Sequence, residues 1–262
     1  MQPVSYEAKI NRLREYTEAI VHYLLDDTAH KTLTLADSSL QSLLDQKGFT
    51  EPMFRDSLDT IRKTRNKYSH TTDINITKDD YEQVLDSFFN IYAYLFVNFF
   101  KQHSYEDCNS ARKIFNAIPP IIRFLTFEEL DKTDPGNEEI ITQFVYAHYL
   151  SFDYDQTMSW LEDHKEALSN VYPLFFRNRP RMLASYIEEQ KRRGIHRSLY
   201  DRLKDLIRQF DSFRTHKGSK NISLSFEEAL KFYENRQYAS EQTEEATEFN
   251  RLMFFVFEGF TI

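Results

Sequence analysis

Asp56-Ser-Leu-Asp-Thr-Ile-Arg-Lys-Thr-Arg65-Asn-Lys-Tyr-Ser-His70 is the stretch on which the reading of this chain turns. Phe54, Leu58, Ile61 and Tyr68 recur at helical spacing and give it one apolar face. Thr50-Glu51-Pro52 ahead of it reads as a helix start, a threonine followed by an early proline. At 100° per residue Asn66 and His70 stand one turn apart on the same side. Arg65 lies well round from His70 but has a long, flexible stem. A guanidinium grips phosphate oxygens as a planar fork, and imidazole is the side chain that exchanges protons near neutral pH. A phosphodiester cut without metal needs those two groups.

Arg65, then Asn66, then His70 after four intervening residues resembles the Arg-x-x-x-x-His signature of the HEPN superfamily. These are all-helical domains that include many metal-independent endoribonucleases of toxin–antitoxin, anti-phage and RNA-processing systems. The resemblance covers about the first hundred residues. It implies that His70 acts as general base or acid while the RNA 2′-OH attacks the adjacent phosphate. The products are then a 2′,3′-cyclic phosphate and a 5′-hydroxyl end. Arg65 would stabilise charge on the phosphoryl oxygens, Asn66 would orient His70 or donate to phosphate, and Lys67 would contact the RNA backbone. It implies, too, a homodimer in which two motifs line one cleft. The nucleotide-transferring members of the superfamily carry a tyrosine two residues after the histidine. This chain has Thr72 there, which favours cutting.

Working outward, the pattern is helical throughout. One helix is expected from Tyr6 to Asp26 and a short one at Leu40–Leu44, stopped by Gly48. Thr77 and Asp80 pair as a cap for a long helix, Asp79–Lys101, whose Val84, Phe88, Ile91, Tyr92, Leu95, Phe96 and Phe99 form a wide apolar surface. The layout is that of a four- or five-helix bundle in residues 1–104, followed by a second all-helical domain in 105–262. The fold class is all-α.

In the second domain, Asp134-Pro-Gly-Asn137 is a turn, and Glu138–Leu168 reads as two helical segments meeting near Ser151–Asp155. That pair has a faint likeness to a tetratricopeptide unit, but a single αα-hairpin is no repeat array. Helices are expected at Arg181–Arg193, ending at Gly194, and from Ser198 to about Phe213. Thr215–Asn221 reads as a linker and Ser225-Phe-Glu-Glu228 as a capping box. A last helix covers about Glu241–Phe257, with Met253, Phe254, Phe255, Phe257 and Phe260 expected to dock on the second core.

Composition narrows the function. The 262 residues include five glycines and no phosphate-cradling glycine loop. Eight scattered histidines without a His-Glu-x-x-His pair, and one cysteine, Cys108, give no basis for a metal site or a cofactor. The lone cysteine and the charged first helix, which is no signal peptide, point to a cytoplasmic protein. The most apolar run, Phe88–Phe100, is interrupted by Asn90 and Asn98 and too short to span a bilayer, so no membrane partner is expected.

The net charge of −8 is unevenly spread. Residues 177–220 hold 13 Lys and Arg against 5 Asp and Glu, a local +8, so the remainder carries −16. Arg192, Arg193, Arg197, Arg202 and Arg208, interleaved with Tyr186, Tyr200 and Phe210, are candidates for phosphate contact and base stacking on RNA. Equally, this segment can face an acidic partner, such as an antitoxin or regulator, or the chain's own acidic remainder. The leading expectation is a metal-independent endoribonuclease. The competing one is a non-catalytic interaction or RNA-binding module, with a helical-repeat adaptor behind it.

Overall fold

The computed structural model describes residues 4–26, 33–69, 76–105, 107–217, 239 and 242–257, without the side chains of 65, 68, 69, 213–217, 255 and 257. The protein is all-α; among the described residues there is no strand. It divides into two compact units, residues 1–99 with 232–262, and residues 100–231.

The first unit contains α1 (Tyr6–Leu24), α2 (Leu40–Gln46), α3 (Pro52–Ser69), most of α4 (Lys78–Gln102) and α12 (Glu244–Phe257). Local chemistry sets the ends of these helices. The Ser5 side chain accepts from the Ala8 N–H and starts α1. Gly48 takes a left-handed φ of 81°, and the Phe49 and Gly48 N–H groups return to the Leu44 and Asp45 carbonyls, closing α2 in a Schellman turn. Thr77 and Asp80 cap each other reciprocally: Asp80 Oδ2 accepts from Thr77 N and Oγ1 at 3.0 and 2.6 Å, and Thr77 Oγ1 accepts from Asp80 N at 3.2 Å.

The apolar faces then bury. Ile10, Leu13 and Ile20 of α1 and Phe54, Leu58 and Ile61 of α3 are all buried, as the spacing required. Around α4, Ile91 through Val97 are buried in unbroken succession, so that helix is surrounded rather than one-sided. The Tyr94 ring lies stacked on Phe54 at 4.5 Å, and its hydroxyl donates to Glu51 at 3.0 Å.

The C-terminal helix departs from expectation. Phe249 packs on Phe96 and Phe99 at 6.2 and 5.3 Å, and the buried Tyr92 hydroxyl donates to the Val256 carbonyl at 3.0 Å. Thus α12 joins the first unit, not the second core, because Tyr92, Phe96 and Phe99 of α4 take up its apolar side. Met253 is buried and Phe254 is exposed; the side chains of Phe255 and Phe257, and Phe260 altogether, lie outside the described residues.

The second unit is built of the end of α4 and of α5 (Asn109–Phe115), α6 (Pro120–Thr133), α7 (Glu138–Ser151), α8 (Tyr154–Asp163), α9 (Lys165–Ser169), a 3-10 turn (Leu174–Phe176), α10 (Pro180–Arg192) and α11 (Leu199–Lys217). Phe100, Tyr105, Phe115 and Phe127 meet edge to face at 5.0–5.5 Å and anchor one end. The Asp134–Asn137 turn reverses the chain, and Asn137 Oδ1 caps α7 through the Glu139 and Ile140 N–H groups. Leu203 and Ile207 of α11 are buried, and Asp211 on the same helix accepts from the Tyr149 hydroxyl of α7 at 2.9 Å. The backbone of α11 continues to Lys217, so residues 215–217 belong to the helix rather than to a linker. The expected capping box at Ser225–Glu228 lies outside the described residues.

Candidate functional site

Arg65, Asn66 and Lys67 occupy the last turns of α3. The buried residues Leu58, Ile61 and Thr64 hold that helix, and Thr64 satisfies its hydroxyl on the Thr60 carbonyl at 2.9 Å. Asn66 is half-buried and Lys67 exposed. Lys67 Nζ lies 3.5 Å from Asp80 Oδ1, the carboxylate that also caps α4. One acidic residue therefore starts α4 and reaches the end of α3, joining the two helix ends that flank residues 70–76. Sequence reading found the cap but not its link to Lys67, since the partners stand thirteen positions apart.

The Arg65 side chain and the whole of His70 lie outside the described residues. Upstream, Asp59 is engaged by Arg62 and by Lys63, the latter at 2.5 Å. The bond from Lys63 chiefly, with Arg62 adding to it, keeps the Asp59 carboxyl below its usual range against a smaller opposing effect of burial. Arg55 serves the fold: it donates to the Phe49 carbonyl, to Gln41 and to Asp45 and ties α3 to α2.

Each of the five arginines expected to touch RNA has an acidic partner within its own unit. Arg192 and Arg193 both bond Glu189, Arg197 bonds Asp205, Arg208 lies 3.8 Å from Asp205, and Arg202 bonds Glu138 at 2.5 Å. Exposed pairs of this kind contribute about 0–1 kcal/mol, so an RNA phosphate can compete for the same guanidinium.

Two of the three expected stacking rings are committed elsewhere. Tyr200 is only 4 % exposed, and its hydroxyl donates to Glu162 at 2.6 Å. Phe210 sits edge-on to Tyr146 at 4.5 Å. Both rings face inward because α11 packs on α7, α8 and α9. Tyr186, on α10, stays exposed.

His148 carries a titratable ring but is a core residue. Its Nδ1 lies 2.8 Å from Thr157 Oγ1, among the rings of Phe124, Phe152 and Trp160. Burial lowers its pKa, and Asp153 opposes that only in part. Among the described residues no group of three or more His, Cys, Asp and Glu could hold a metal ion, and no helix is long and apolar enough to cross a membrane.

A family described as a domain of unknown function, DUF4145, matches residues 1–117. No curated protein and no solved structure matches the chain. The matched stretch contains α1 to α5, hence the whole of Arg65–His70, and leaves out α12.

Proposed function

We propose that the protein is a metal-independent endoribonuclease whose reacting groups are Arg65 and His70, assisted by Asn66. The observation that carries this reading is the placement of the Arg65-Asn66-Lys67 turn. It ends an α3 whose Phe54, Leu58 and Ile61 are buried, and the Lys67–Asp80 pair links it to the capped start of α4. Charge stabilisation in a transition state demands donors carried on a supported element, and a helix end linked to its neighbour offers one.

In this mechanism His70 takes the proton of the RNA 2′-OH. The 2′ oxygen attacks phosphorus, the bond to the 5′ oxygen breaks, and that oxygen leaves with a proton from an acid. The Arg65 guanidinium holds the phosphoryl oxygens as negative charge builds on them. A second copy of the chain, aligned across a two-fold axis, supplies the second histidine as that acid. It also brings an arginine and a histidine together despite their separation around one helix.

The purified protein is expected to cut single-stranded RNA in EDTA. His70→Ala and Arg65→Ala should each lower the rate by about 100-fold or more, the usual scale for removing a general base or a charge-stabilising donor. Circular dichroism should remain that of the parent. Cutting that needs Mg²⁺, or that survives both substitutions, contradicts the proposal.

A non-catalytic interaction module is the second reading. The pairing of Arg192, Arg193, Arg197, Arg202 and Arg208 with the protein's own carboxylates favours it, since those charges are not reserved for RNA. An inert protein that forms a stable complex with an acidic partner would support it.

A further inference from the structure

Deepening the RNA reading and resting on it, we propose that a cavity in the second unit holds an unpaired base of single-stranded RNA. The cavity measures about 220 Å³ and lies among Tyr172, Tyr186, Gln190, Ile195, Arg197 and Arg202. That is below the roughly 300–1,000 Å³ of pockets for drug-sized ligands, and suits one ring system rather than a larger molecule.

The walls are built by local rules. Gly194, at a φ of 66°, ends α10 in a Schellman turn: the Gly194 N–H returns to the Lys191 carbonyl at 3.0 Å and the Ile195 N–H to the Gln190 carbonyl at 3.1 Å. That turn folds Ile195 back beside Gln190. Four residues on from Gly194, Ser198 and Asp201 cap α11 reciprocally, with Ser198 Oγ donating to Asp201 at 2.7 Å. The connector between the two helices is thus tied at both ends, and the cavity is formed before any ligand arrives.

Its chemistry fits a nucleotide. Tyr186 is 41 % exposed and Ile195 53 %, although both are large and apolar. Tyr186 rests on Phe176 at 4.9 Å, which fixes its ring for stacking. Gln190 and His196 line the same space and offer donors and acceptors to a base edge. Two guanidinium groups stand on the wall. Among the described residues, Arg197 makes its protein bonds through Nη2, to Asp205 and to the Asp201 carbonyl, and Arg202 makes its bond through Nη1, to Glu138. Arg202 therefore keeps Nε and Nη2, which share one edge of the guanidinium, for a phosphate. An aromatic platform, amide and imidazole edges and a cationic fork together match a base with its phosphate better than an acidic peptide, whose carboxylates and backbone leave the ring without a stacking partner.

The test uses the full chain carrying His70→Ala, with fluorescence anisotropy of a labelled oligouridylate of about ten nucleotides, a usual site size. Adding Tyr186→Ala should weaken binding about tenfold, the scale of one lost base stack, while Tyr186→Phe restores it. The mononucleotide AMP should displace the probe, and ribose 5-phosphate and polyglutamate should not. Parent-like affinity in Tyr186→Ala, or displacement by ribose 5-phosphate or polyglutamate as readily as by AMP, overturns the base site. Cutting by the wild-type chain in EDTA is read separately. A protein that cuts but ignores Tyr186→Ala loses only the base site, and one that binds through Tyr186 without cutting loses only the nuclease assignment.

Discussion

His148 shows how burial decides what a titratable residue does. Four aromatic rings, from Phe124, Phe144, Phe152 and Trp160, and the Thr157 hydroxyl surround it, and burial holds its pKa below the ordinary value. The folded protein resists the proton that the unfolded chain accepts near pH 6.5, so stability is fully present above that pH and declines below it. Thermal melts from pH 7 to pH 5 should show a falling Tm, and His148→Gln should flatten that slope. An unchanged slope in the variant would mean that other groups set it. Phe54 is the complementary case of pure packing. It is fully buried against Tyr94, so Phe54→Ala should cost about 3–5 kcal/mol in denaturant unfolding of the first unit.

At the scale of elements, the helix ends explain both what sequence reading caught and what it missed. The stop of α2 at Gly48, the Thr77–Asp80 start of α4 and the Asn137 start of α7 are matters of a few neighbouring residues, and each was legible. The fate of an apolar face is not local. α10 has the amphipathic pattern of a packed helix, yet none of its described residues is buried. Tyr200 and Tyr186 looked equivalent in sequence, and only packing of α11 on α7, α8 and α9 separates them. Two outcomes follow. Substituting Met182→Gln on α10 should change stability by less than about 0.5 kcal/mol, and α10 amides should exchange hydrogen sooner than those of α4. Asp80→Ala should cost about 1 kcal/mol through the lost cap. Because it also releases Lys67, it should slow RNA cutting by more than an equally destabilising change elsewhere.

At the scale of the whole molecule, the all-α class followed from periodicity and caps, whereas the break that makes α8 and α9 separate helices and the path of the C-terminus did not. Tyr92 and Val256 stand 164 residues apart, and nothing in either segment names the other as its partner. The candidate site divides in the same way. Arg65, Asn66 and His70 stood out in the sequence by residue type and spacing, whereas the ion pair from Asp80 to the end of that helix required the fold. The basic segment, read either as an RNA-binding arm or as a charged face meeting an acidic partner or the chain's own acidic remainder, pairs Arg192, Arg193, Arg197, Arg202 and Arg208 with carboxylates of its own unit. The most direct measurement of the central claim is end-group analysis of a defined single-stranded RNA incubated with the wild-type protein in EDTA. The account predicts fragments ending in a 2′,3′-cyclic phosphate and beginning with a 5′-hydroxyl, absent with His70→Ala. Fragments with 3′-hydroxyl and 5′-phosphate ends, or the same products from His70→Ala, would contradict it.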